Sequence, residues 1–123
     1  MNNEMYITIN RHLAVRPSQI LMLKADINYT HIFLSDGSSV TSSRTLGIFE
    51  QRLSNQAFFR LNRSVIINLN FMADFEMEYA TIRMENDEAI AISRRRIKNF
   101  LKKSKSIRIR KVSGENHHQD FKL

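Results

Sequence analysis

Between Met5 and Leu34 the apolar residues of this chain come in four short runs: Tyr6-Ile7-Thr8-Ile9, Leu13-Ala14-Val15, Ile20 to Ala25 and Tyr29 to Leu34. They are rich in Ile, Leu, Val, Phe and Tyr and are separated by polar residues, so short strands are the expected elements. Pro17, the only proline, fixes φ between the second and third runs, which makes Pro17-Ser18-Gln19 a turn or a single helical turn. Asp36-Gly37 lies between Ile32-Phe33-Leu34 and Val40. Asp-Gly between two strand-like runs is a strong local signal for a hairpin.

Farther along, Leu46, Phe49 and Leu53 are spaced three and four apart behind Ser42-Ser43-Arg44-Thr45, which predicts one amphipathic helix over 45–54 started by a hydroxyl cap. Ser64 is placed to cap a short helical turn through Val65-Ile66-Ile67, and Asn68 to end it. Strands are expected over 71–77, 79–84 and 89–92, with Glu85-Asn86-Asp87-Glu88 as the turn of a second hairpin. Behind Ser93, an N-cap candidate, Ile97, Phe100 and Leu101 mark one face of a helix, while Arg95, Lys98, Lys102 and Lys105 lie along another side. Ile107-Arg108-Ile109-Arg110 alternates as a strand would, and Gly114 to Leu123 is polar and is expected to fray. Phe33, Phe49, Phe59, Ile66, Phe71 and Phe100 are expected in the core. The fold class is therefore mostly β with short α. One domain is expected over 1–105, followed over 106–123 by a basic and then polar tail, partly disordered.

A chain of 123 residues with 42% hydrophobic content suits one domain with its own core. Its net charge of +7 is unevenly placed. Residues 1–90 carry 8 Lys/Arg against 10 Asp/Glu, whereas residues 91–112 carry 10 Lys/Arg and no acid. A basic block on a near-neutral domain fits a nucleic-acid partner, and read without one it is a solvated basic helix. Arg94, Arg95 and Arg96 stand at a helix N-terminus, where like charge costs stability, and a nearby external anion accounts for that cost. No apolar run approaches the roughly 20 residues that span a bilayer, and no leader pattern opens the chain. A cytoplasmic protein with no membrane insertion is expected.

Enzyme chemistry finds no foothold. There are no cysteines, hence no thiol nucleophile and no thiolate zinc site. With 3 glycines neither a phosphate-binding loop nor a dinucleotide fingerprint can be written. His12, His31, His117 and His118 are scattered, and His117-His118 reads as a solvated pair in the tail. The acids of 74–78 and 85–88 read as a solvated strand face and a turn. No catalytic residue, cofactor or metal is expected.

Three segments, read together, resemble the LytTR family of bacterial DNA-binding domains. Ile20 to Gly37 is similar to the family's strand, polar loop with an aromatic, strand and Asp-Gly turn. Phe58-Phe59-Arg60-Leu61-Asn62-Arg63-Ser64-Val65-Ile66-Ile67-Asn68 resembles its signature of phenylalanine, arginine, spacer, serine, apolar residues and asparagine. Ile90-Ala91-Ile92-Ser93-Arg94-Arg95-Arg96 resembles the strand that ends in serine and enters a basic helix. The resemblance covers residues 5–103. It implies a fold of compact antiparallel β-sheets with short helices, and DNA contact through loops in successive major grooves.

By the same resemblance, His31, Arg63 and Arg95 are the expected contacts to base edges; an arginine fork can hold a guanine through two hydrogen bonds. Asn28, Tyr29, Thr30, Asn62, Ser64, Ser93, Arg94, Arg96, Lys98 and Lys102 are the expected phosphate contacts, which set affinity and salt dependence. Arg60, between Phe59 and Leu61, reads as structural. Without DNA, His31 reads as a half-buried strand residue, Arg63 as one half of a surface ion pair, and Arg95 as a solvated cation. Leu61-Asn62 departs from the histidine common in the family's spacer, so the preferred DNA sequence does not carry over. Nothing before residue 5 folds separately, which argues against a built-in receiver domain. The leading expectation is a sequence-specific regulator of transcription on double-stranded DNA, two copies on a repeated site, possible partners being a second copy on DNA and a regulatory protein. The competing reading is a non-specific DNA- or RNA-binding module using the same cations, for which Tyr29 is the obvious stacking aromatic.

Overall fold

The computed structural model describes residues 5–112, with side chains through Ile107. The chain divides into two units between Asn68 and Leu69.

In the first unit, β1 (Ile7–Asn10) and β2 (Leu13–Val15) form an antiparallel ribbon with Ile7 opposite Val15. Pro17–Gln19 is a single 3-10 turn, as expected from the proline. Then come β3 (Ile20–Asp26), β4 (Tyr29–Leu34), β5 (Ser39–Ser42), the helix α1 (Leu46–Arg52), β6 (Phe58–Asn62) and β7 (Val65–Asn68). The strands make one antiparallel sheet in the order β5-β4-β3-β7-β6. Its register is pinned from inside: Leu23 stands opposite Ile32 on one side and Ile66 on the other, and all three are buried. A slip of one residue would turn these side chains to the opposite face. Ile9, Ile20, Phe49, Leu53 and Phe58 complete this core, in which Leu23→Ala would cost about 2–5 kcal/mol.

Asp36-Gly37 makes the expected hairpin between β4 and β5. Gly37 adopts φ 93°, a conformation that glycine reaches without steric cost. Thr45 occupies the N-cap of α1, but its hydroxyl makes no capping bond. The helical turn expected over Ser64–Asn68 is instead β7. Val65, Ile66 and Ile67 are all buried and pair with β3 on one side and β6 on the other; a central strand buried on both faces has a continuous apolar run and no period. Asn68 does not end a helix: its side-chain amide donates to the Ile20 carbonyl at 2.9 Å.

In the second unit, β8 (Met72–Glu76), β9 (Thr81–Met84) and β10 (Ala89–Ala91) form an antiparallel sheet in the order β10-β9-β8, close to the expected strands. A 3-10 turn over Arg94–Arg96 leads into α2 (Ile97–Val112), and Ser93 holds the N-cap position without a side-chain cap bond. Phe75 of β8 and Phe100 of α2 pack edge to face, centroids 5.1 Å apart. The alternation at 107–110 is not a strand. Ile97, Phe100, Ser104 and Ile107 are buried at spacings of three and four, so the helical period carries through Ile107, which is 5% exposed. The tail expectations for 113–123, including His117-His118, lie outside the described residues. Of the expected core, Phe49, Ile66 and Phe100 are buried, while Phe33, Phe59 and Phe71 are half-buried.

Candidate nucleic-acid interface

Antiparallel pairing brings two hairpin tips to one end of the five-stranded sheet. β3 turns through Ile27-Asn28 into β4, and β6 turns through Arg63-Ser64 into β7. Lys24 stands opposite Val65 and the Ala25 N–H donates to the Ser64 carbonyl at 2.8 Å, so the two hairpins share neighbouring inner strands about 4.8 Å apart, with Ile27 two residues beyond Ala25. Ser42 pairs with Thr30, so the link into α1 starts at the same end. Ile27, Thr45, Arg60, Arg63 and Ser64 border an open depression of about 510 Å³ there.

The Arg63 tip is held from beneath. Arg60 donates from Nε to the Asn62 carbonyl at 3.2 Å, from Nη2 to the Arg63 carbonyl at 2.5 Å and from Nη1 to Glu50 of α1 at 2.9 Å. The Asn62 side-chain oxygen accepts the Ser64 N–H at 2.8 Å, a local turn that asparagine favours. Arg63 itself is exposed, and its guanidinium meets no partner among the described residues. The reading of Arg60 as structural agrees with these bonds, and the ion pair that Arg63 would make without DNA is not seen among the described residues.

His31 is tied at both ring nitrogens. Asp26 Oδ2 lies 2.9 Å from Nε2, and Thr41 Oγ1 lies 2.9 Å from Nδ1. A carboxylate only accepts, so Nε2 carries a proton; in the neutral ring Nδ1 then accepts from the Thr41 hydroxyl. The side chain stays 37% exposed. Asn28 and Tyr29 are exposed at the neighbouring tip. Thr30 is a correction: it is 0% exposed and its hydroxyl donates to the Arg44 carbonyl at 2.7 Å. Strand alternation turns it inward, so it holds the link before α1 and cannot meet a phosphate.

In the second unit Arg94, Arg95, Lys98 and Lys102 are exposed, and Ser93 and Arg96 are half-buried. Arg94 donates to the Glu78 carbonyl at 3.3 Å. Arg96 Nε is buried without a hydrogen-bond partner. Arg83 is drawn into ion pairs with Asp74 and Asp87, which takes it out of the free cations. Among the described residues no cluster of three His, Asp or Glu side chains converges on a metal site, and no helix is long and apolar enough to cross a membrane.

The family model of the LytTr DNA-binding domain matches residues 10–105. The chain belongs to the LytTR family. It is accordingly a DNA-binding domain of transcription regulation, in a family of regulators, not of enzymes. A solved LytTr DNA-binding domain, from a protein described as a methyl-accepting/DNA response regulator of Bacillus cereus, shares the fold. Its TM-score is 0.67 at 24% identity, covering 82% of this chain and 97% of the other. No curated protein matches this chain by sequence.

Three participants in this LytTR domain escaped the sequence reading. Asp26 and Thr41 hold His31, and both become its neighbours only through register: Thr41 lies directly across from it, and Asp26 lies diagonally across the hairpin. Ile27 has φ 56°, and sequence offers no sign of that, because glycine or asparagine is the usual residue there.

Proposed function

We propose that this LytTR domain reads double-stranded DNA sequence-specifically, with Arg63, His31 and Arg95 at base edges. The observation that carries the reading is the Arg63 tip. Two hydrogen bonds from Arg60 reach its main-chain carbonyls, a third ties Arg60 to Glu50, and the Ser64 N–H donates to the Asn62 side chain, while the Arg63 guanidinium is left exposed. Steering toward phosphates needs charge alone, whereas two-bond recognition of guanine needs a fork held in place.

His31 keeps Asp26 as its orienting partner and exchanges the Thr41 hydroxyl for a base edge. Asn28, Tyr29, Asn62 and Ser64 in the first unit, and Ser93, Arg94, Arg96, Lys98 and Lys102 in the second, serve the phosphates and set salt dependence. A single domain of this size buries a modest interface, so two copies on a repeated site supply the affinity.

Selection from random duplexes at near-physiological salt tests the reading, run with the natural protein and with His31→Ala, Arg63→Ala and Arg95→Ala. The expected result is an enriched repeat whose readout relaxes at a different base in each variant. Salt-sensitive binding with no motif, unchanged by the three substitutions, would replace it with non-specific binding.

A further inference from the structure

Ile27 is the most exposed large apolar side chain described, at 91%, and its backbone lies in the left-handed region with φ 56°. A β-branched residue pays for that conformation, and glycine or asparagine does not. The side chain returns nothing to the unit's own core, since nearly all of its surface faces solvent. A residue strained and unburied in the free protein points to a use outside it.

The position narrows that use. Ile27 and Arg63 border the same depression, on the tips of two hairpins whose inner strands are paired. Asp26, Asn28, Arg63 and Ser64, its neighbours along the chain and across the strand pair, are exposed and polar; Tyr29 is exposed beside them and Leu46, on the same depression, is buried, so the apolar surface here falls short of the patch of roughly several hundred Å² that a protein partner needs. In a major groove the apolar feature on a base edge is the C5-methyl group of thymine.

We infer that Ile27 is a specificity-determining residue that packs against a thymine methyl beside the base held by Arg63. The inference rests on the sequence-specific reading above. Ile27 lies two residues past Ala25, whose N–H meets the Ser64 carbonyl, so strand spacing and rise put the two tips about 8 Å apart; base pairs rise about 3.4 Å, so that thymine lies within about three base pairs of the Arg63 position.

Uracil differs from thymine by that methyl alone, and this supplies the test. Each thymine of the selected duplex is replaced in turn by uracil, and binding is measured by fluorescence anisotropy for the natural protein, Ile27→Gly and Ile27→Asn. One replacement near the Arg63 position is expected to weaken the natural protein about fourfold, the worth of one methyl removed from water. It should leave both variants unaffected. Thermal melting should show both variants at least as stable as the natural protein, because each relieves the backbone at residue 27. If a motif is enriched but no uracil separates the natural protein from the variants, the role of Ile27 falls while the Arg63 reading stands. If no motif is enriched, both fall.

Discussion

Arg60 Nη2 donates to the main-chain carbonyl of Arg63 at 2.5 Å, so one arginine of β6 fixes the turn from which another projects. Replacing Arg60 with methionine keeps much of its aliphatic stem and removes all three donations. The tip should loosen: affinity for the preferred duplex is expected to fall about tenfold, with a stability loss near 1 kcal/mol, the modest worth of partly exposed hydrogen bonds and ion pairs. Anisotropy titration beside a urea melt checks both numbers. Full retention of sequence preference in a loosened tip would show that rigidity is dispensable.

Cations in the two proposed roles should separate by salt. Arg63→Ala and Arg95→Ala are expected to cost about 1–3 kcal/mol on the preferred duplex and little on a scrambled one, whereas Lys98→Ala and Lys102→Ala should weaken both duplexes alike and each lower the salt slope by about one. Titrations at a series of potassium chloride concentrations measure the slope. A lysine variant that relaxes sequence preference would reverse the assignment.

Thr30→Val removes a buried hydroxyl and leaves the Arg44 carbonyl without that donor. A loss of about 1–3 kcal/mol in unfolding free energy is expected, with DNA affinity of the folded protein unchanged because residue 30 has no exposed surface. Weaker DNA binding at full stability would contradict its structural role.

The Asp36 carboxylate accepts from the Ser38 hydroxyl at 2.6 Å and the Ser38 N–H at 2.8 Å, and these bonds hold its pKa below the ordinary 3.8. A carboxylate with a lowered folded pKa adds stability that is fully present above the unfolded value and is lost as pH falls through the folded one. The stability difference between the natural protein and Asp36→Ala should therefore be constant near neutrality and shrink below pH 3.8. Urea midpoints from pH 7 to pH 3 test it, and a difference that grows on acidification would give the turn another basis.

The sequence reads well where the determinants are local. Pro17 and Asp36-Gly37 announced their turns because φ is set within one or two residues. Val65-Ile66-Ile67 misled because a strand buried on both faces shows no alternation, and a serine before it imitates a helix cap. Residues 107–110 misled because four positions cannot separate a two-residue period from a helical one; burial at 97, 100, 104 and 107 decides it. The tip that carries Arg63 lies within the phenylalanine-arginine-serine signature, so the proposed role of that residue starts from local sequence. The partners of His31 were not, since Asp26 reaches it only across a tight turn whose residues, Ile27-Asn28, lack the usual glycine.

Leu23, Ile32 and Ile66 lock the strand register from within, and the side chains at 27–28 and 63–64 take no part in that lock. On the proposed reading, stability and target choice are thus inherited largely through separate positions. A duplicated copy of such a gene can drift toward a new operator through substitutions at a few tip residues, each intermediate staying folded on the way.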